Sequence, residues 1–349
     1  MTIENNFNLL RLLAAMQVLI VHQFNSFDVK HDLFSIISLF PGVPIFFFVS
    51  GYLVAQSYER SVKGSGIVDY VIKRSLRIFP ALWVSIFFAL ALAFAVGYLT
   101  VDVFLTSEFW LWIFAQASVL QFYNPEFFRG YGVGVINGAL WTISVELQLY
   151  FLMPFLAFLI KKMRFLVFFV MITSVVLHVL SQQFLPQDNI FTKLLQVSAL
   201  PWLYMFIAGS LCHYYLDLKK KILNLPALPT FIIFILAMFW IGSVEINASN
   251  AINPVAAIFL MILVFKFANS RLVHQTLNLK FIKNHDLSYG IYIFHMPIIN
   301  ALLFCDVAFH LAFAILMLAV ISTSAASWFL IEKPCLNQKT SLSNWMAGK

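Results

Sequence analysis

Residues 7–27 read FNLLRLLAAMQVLIVHQFNSF, and the reading of this stretch decides the fold. As a helix it spans a bilayer, since about 20 residues rising about 1.5 Å each cover the hydrocarbon core. Two ionisable side chains interrupt it, Arg11 and His22. They are eleven residues apart, close to three whole helical turns, so they share one face with about 16 Å of helix axis between them. Ionisable groups inside a span are costly and mark a cavity or a pathway. The rest of the chain reads as a box around that face.

Composition agrees. Of 349 residues, 62% are hydrophobic and 11% charged, against about 25% charged in a soluble chain. The Phe-rich segments lack the alternation of an outer-membrane barrel. The class is therefore all-α, a polytopic membrane protein with about ten transmembrane helices. The apolar runs fall near 7–27, 36–56, 78–99, 139–160, 165–181, 198–216, 228–243, 251–268, 287–305 and 307–330. The first follows a short head without a basic n-region or a small-residue cleavage site, and reads as a retained span.

The net charge of +7 does not indicate nucleic acid, because of where the charges fall. With the N-terminus in the cytoplasm, only Lys30, Arg129 and Lys193 of the 22 Lys and Arg lie outside, and 19 lie inside. That is a strong positive-inside pattern, and it predicts both termini cytoplasmic. Cys212, Cys305 and Cys335 offer no well-placed disulfide pair and read as packing residues.

The longest stretch between spans is 100–138. Within it FWLWIFAQASVLQF (109–122) is apolar but only 14 residues long, a length that suits an interfacial or re-entrant segment. If it crossed, the basic clusters at 161–164 and 219–221 would move outside. YNPEFFRGYGVGVING (123–138) follows and reads either as a lid over the outer mouth or as a plain connector. In PGVPIFFFVSGYLVAQS (41–57), the small residues Ser50 and Gly51 predict close helix packing ahead of ligand approach.

Three further motifs carry chemistry. DYVIKRSLRIFPALW (69–83) places Arg74 and Arg77 on one helix face, expected near a helix start. Two guanidiniums there suit phosphate groups, or they anchor the span on lipid phosphates. NGALWTISVELQLYFLMP (137–154) carries Glu146 well inside a span. Counted from the outer surface, Glu146 and His22 fall at similar depth, about 10 and 7.5 Å. A carboxylate beside an imidazole prepares a general base; the alternative is a protonated or tyrosine-bonded Glu146 that serves packing, with Tyr150 one turn away as such a partner. DLSYGIYIFHMPII (286–299) puts His295 inside the ninth run, either on the same cavity from its inner side or as a structural histidine. His178, His213 and His310 fall near span ends and are expected to be wet. No metal-ligand spacing is present.

Together RLLAAMQVLIVH (11–22), PGVPIFFFVSGYL (41–53), KRSLRIFP (73–80), LWTISVELQLYFLMP (140–154), SYGIYIFHMP (288–297) and FLIEKP (329–334) resemble the acyltransferase family 3 membrane proteins, which O-acylate cell-surface glycans and related acceptors. The resemblance covers nearly the whole chain. It implies one transmembrane domain over 1–335 and a cytoplasmic tail over 336–349, in a plasma (inner) membrane. It implies a cytoplasmic acyl-CoA donor, usually acetyl-CoA, and a hydroxyl acceptor on a glycan or lipid-linked sugar. The family's Arg–His pair falls on Arg11 and His22, with His22 as the essential histidine. Its basic pair falls on Arg74 and Arg77, and its Trp-Thr-x-Ser-x-Glu motif on Trp141, Thr142, Ser144 and Glu146. Many relatives carry an appended hydrolase-like domain, and none is expected here.

The implied mechanism docks CoA phosphates on Arg74 and Arg77, with Arg11 at the inner mouth. His22, oriented by Glu146, deprotonates the acceptor or briefly carries the acyl group. Two other classes compete: a secondary transporter using His22 and Glu146 as a proton relay, and a non-catalytic lipid-binding scaffold.

Overall fold

The computed structural model describes residues 6–30, 36–240, 252–270 and 285–339. Among them every regular element is helical. We number the helices in chain order: α1 Phe7–Ser26, α2 Gly42–Lys63, α3 Ile67–Ala95, α4 Ser107–Ala117, α5 Trp141–Lys162, α6 Arg164–Val179, α7 Ile190–Gln196, α8 Leu203–Tyr214, α9 Leu216–Asn224, α10 Ala227–Trp240, α11 Pro254–Ala268, α12 Ser288–Phe304, α13 Phe309–Ser327 and α14 Lys333–Asn337.

Among the described residues, six helical segments are long and apolar enough to cross a membrane: 7–26, 36–63, 67–95, 138–162, 164–184 and 309–337. Two bent pairs raise the number to eight, α7 with 200–214 at 47° and α9 with 227–239 at 88°. The apolar helices α11 and α12 are shorter, with 15 and 17 residues. The ten apolar runs of the sequence thus all contain helix, while six to eight meet the length of a span. Side chains such as Phe151 at 85% exposure and Phe165 at 76% project large apolar surface outward. Exposed apolar area on this scale belongs against lipid.

The chain divides into two compact units. The first comprises residues 1–18, 32–60 and 148–286. Its α2 and α8 cross at reciprocal glycines. A Cβ on Gly51 would meet the Phe206 carbonyl oxygen at 2.0 Å, and a Cβ on Gly209 the Phe48 carbonyl oxygen at 2.0 Å. Ser210 Oγ adds hydrogen bonds to the carbonyls of Gly51 (3.1 Å) and Phe206 (3.0 Å). The helix-packing reading of Gly51 holds. The backbone N–H of Gly42 donates to Gln17 Oε1 at 2.7 Å, and this fixes the start of α2 against α1.

The second unit comprises residues 19–31, 61–147 and 287–349. Here α12 packs against α3 and α13. A Cβ on Gly290 would meet Ser324 Cα at 2.9 Å, so glycine permits the approach of α12 to α13. The connector 96–140 holds α4, only 11 residues long. Its length of about 16 Å is too short to span.

Its last stretch is tied to α12 by two buried asparagines. Asn300 Nδ2 donates to the carbonyls of Val135 (2.8 Å) and Ile136 (3.0 Å), and its Oδ1 accepts from Val133 N–H at 3.0 Å. Asn137 Nδ2 donates to the Ile293 carbonyl at 2.8 Å. That carbonyl lies four residues before Pro297. Proline has no N–H to offer it, and an orphan carbonyl at membrane depth is expensive. Asn137 supplies the missing donor. Gly132, at φ +54°, sits where a Cβ would meet Asn300 Oδ1 at 2.2 Å.

Two expectations about histidines are corrected. His178 is not wet: it is 2% exposed, with Nε2 3.1 Å from the Ile252 carbonyl and its ring edge-on to Trp202. His213 is largely buried and held by Glu59, its Nε2 2.9 Å from Glu59 Oε2.

Candidate functional site

α1 runs unbroken from Phe7 to Ser26, so Arg11 and His22 do share a helix face. They meet different partners. His22, half-buried, places its Nδ1 2.8 Å from His295 Nε2. The two rings stack with centroids 5.0 Å apart. His295 is fully buried, and its Nδ1 lies 3.2 Å from the carbonyl oxygen of Ile291. His295 thus reaches the His22 face, and its burial and its contact with the Ile291 carbonyl are also those of a hydrogen-bonded structural histidine.

The wall behind His295 comes from α12 and α5. The Tyr292 ring stands edge-on to His295 at 5.9 Å. Its hydroxyl lies 2.7 Å from Thr142 Oγ1, and Thr142 Oγ1 lies 3.1 Å from the Ala139 carbonyl. Glu146 follows Thr142 by one turn on α5, which places both on one face. Ser144, on another side of α5, donates to the Val119 carbonyl at 2.5 Å and holds the turn after α4. Within the Trp-Thr-x-Ser-x-Glu motif, Thr142 therefore meets α12 through Tyr292, and Ser144 fastens the connector. Outside the spans, burial pushes the Tyr131 phenol up and keeps it neutral.

The three arginines depart from the simplest phosphate picture. Arg11 is ion-paired with Asp286, both side chains largely buried. Arg77 Nη1 lies 3.2 Å from Glu332 Oε2, with the side chains 13% and 2% exposed. The Arg77 guanidinium also lies 5.7 Å from the Tyr289 ring centroid, within cation–π range. Glu332 accepts a further bond from Ser327 Oγ at 3.1 Å and sits in a π-helical turn, 328–332.

Arg74 and Arg77 are not near a helix start. α3 begins at Ile67, after Gly66 at φ +92°, and its first turn carries Asp69. The free N–H groups of that turn lie about 10 Å below Arg74 along the axis. Any anion held by this pair is held by guanidinium alone, without the helix terminus. Asp286, Glu332 and Asn137 escaped notice in the sequence. Asp286 and Glu332 lie inside quoted motifs, and the signal that would have exposed them is the cost of leaving Arg11 and Arg77 unpaired in a span.

Comparison with known proteins follows the same residues. The acyltransferase domain model of family 3 matches residues 4–332. Nodulation protein 10 of Rhizobium leguminosarum bv. viciae is 32% identical over 355 aligned positions, covering 97% of this chain and 95% of the relative. An O-acetyl transferase of Shigella phage Sf6 is 25% identical, with 97% of each chain covered. No solved structure matches. The chain belongs to acyltransferase family 3, and it is a multi-pass membrane acyltransferase.

Proposed function

We propose that the protein is an integral membrane O-acyltransferase, with acetyl as the preferred group, that moves an acyl group from cytoplasmic acyl-CoA to a hydroxyl of a cell-surface polysaccharide or other glycan. The observation that carries this reading is the family match across residues 4–332, joined to a relative named O-acetyl transferase that aligns over 97% of both chains. The reading includes ten spans, both termini in the cytoplasm, and residence in the plasma (inner) membrane.

In the reaction, His22 acts as general base. It takes the acceptor hydroxyl proton, the oxygen attacks the thioester carbonyl, the C–S bond breaks, and the proton passes to the CoA thiolate. Glu146 supplies negative charge against the imidazolium that forms. CoA phosphates dock on Arg74 and Arg77, the latter also paired with Glu332; Arg11, paired with Asp286, is assigned to the inner mouth.

The test uses purified protein in nanodiscs with radiolabelled acetyl-CoA and extracted envelope glycans. Base-labile label on a glycan, with matching CoA release, supports the proposal. Absence of CoA binding and release with every candidate acceptor, together with flux that follows a pH gradient, would overturn it in favour of a transporter.

A further inference from the structure

We infer that His295 is the positioning residue that sets the tautomer of His22, in the place usually given to a carboxylate. The inference rests on the reading of His22 as general base. The chain of hydrogen bonds fixes the protons one by one. The Ile291 carbonyl can only accept, so the proton on His295 sits at Nδ1, 3.2 Å away. A neutral His295 then presents a lone pair at Nε2. Full burial of its ring disfavours the doubly protonated cation.

His22 Nδ1 lies 2.8 Å from that lone pair, so His22 must hold its proton at Nδ1 and donate it. The lone pair of His22 is thereby placed on Nε2, the atom a general base needs. Titratable groups on the elements packed around the pair include Arg11 on α1, Glu146 and Tyr150 on α5, Tyr289 and Tyr292 on α12, Lys73, Arg74 and Arg77 on α3, and His310 on α13. Tyr292 is spent on Thr142 at 2.7 Å and contacts His295 through its ring.

The helix itself holds His295 in register. Its acceptor, Ile291, is one turn back on α12. Pro297 breaks the bond to Ile293 but not the one to Ile291, and Asn137 repairs the broken position. The sequence Ile-Tyr-Ile-Phe-His-Met-Pro (291–297) therefore encodes both the proton donor to a backbone carbonyl and the rigidity that aims it.

The test has two parts, both on the full-length protein in nanodiscs. First, nitrogen NMR of histidine-labelled wild type reports each tautomer without reference to activity. The Nδ1–H form at both His22 and His295 is expected, and the Nε2–H form at His22 overturns the inference. Second, kinetics compare wild type with His22→Ala, His295→Phe and His295→Gln. His295→Phe keeps ring volume but offers no acceptor; kcat is expected to fall about 10²–10⁴-fold with KM for acetyl-CoA nearly unchanged. The basic limb of the kcat/KM profile, which reports the free enzyme's base, is expected to shift. His295→Gln restores an acceptor and is expected to recover at least about tenfold of that loss. A His22→Ala enzyme that stays active defeats the general-base reading itself. Inactive His22→Ala beside a His295→Phe enzyme of wild-type kcat and pH profile defeats only the role of His295. Should His295→Phe fail to fold, the NMR result and His295→Gln decide.

Discussion

At the scale of single residues, the ionisable groups buried in the spans include a histidine pair and two arginine–carboxylate pairs. Arg77 with Glu332 is the clearer of the latter, at 3.2 Å and nearly dry. Such a pair adds little net stability against an apolar substitute, but breaking one side strands a buried charge. Arg77→Ala is therefore expected to cost about 3–5 kcal/mol of stability, read as a lowered unfolding temperature in detergent. The double variant Arg77→Met, Glu332→Leu is expected to recover most of it; equal loss in the two proteins would contradict the pairing argument. Arg74 should behave differently. Removing a guanidinium from a phosphate loses a charge-assisted bond of about 1.5–3 kcal/mol, so Arg74→Ala is expected to weaken acyl-CoA binding about 10–100-fold by calorimetry. Lost transfer with unchanged binding would remove Arg74 from the donor site.

The helical period made the Arg11–His22 face legible, because both residues lie on one unbroken helix. Two of their partners, Asp286 and His295, were not legible. Depth counted from span ends set His295 further in than His22. Yet α12 has 17 residues, about 25 Å of helix, so its end need not lie at the membrane surface, and His295 reaches His22. The extent of α3 was hidden for a related reason. Hydropathy marks where a chain enters hydrocarbon, near residue 78, whereas the helix begins at Ile67.

At the scale of elements, α12 is the scaffold. It carries Tyr292, His295, Pro297 and Asn300, and the connector after α4 is stitched to it. The stitch makes a specific prediction. Asn137→Ala leaves the Ile293 carbonyl without a donor, at a cost of about 1–3 kcal/mol. In a Pro297→Ala background the residue at 297 has an N–H for that carbonyl, so the same change should cost much less. A double-mutant cycle measured by thermal unfolding checks this; equal costs in both backgrounds would show that Asn137 acts elsewhere. α2 and α8 meet through glycine in the same spirit. Gly51→Leu must displace a backbone carbonyl 2.0 Å from the added Cβ, and it is expected to abolish folding rather than weaken it.

At the scale of the whole molecule, the orientation proposed from charge is open to a direct check. On a background without exposed thiols, a cysteine in place of Arg129 should react with a membrane-impermeant maleimide added outside intact cells. One in place of Lys220 should react only after lysis. The reverse pattern would invert the topology and bring the donor and acceptor sides into question together.

The central claim is that this membrane acyltransferase works through His22. The measurement that tests it most directly compares acetyl transfer by wild type and His22→Ala in nanodiscs, with acetyl-CoA binding followed by calorimetry in both. The account predicts that His22→Ala is folded and binds acetyl-CoA within about threefold of wild type, while transfer falls by at least about 10²-fold. Transfer by folded His22→Ala at the wild-type rate would contradict it.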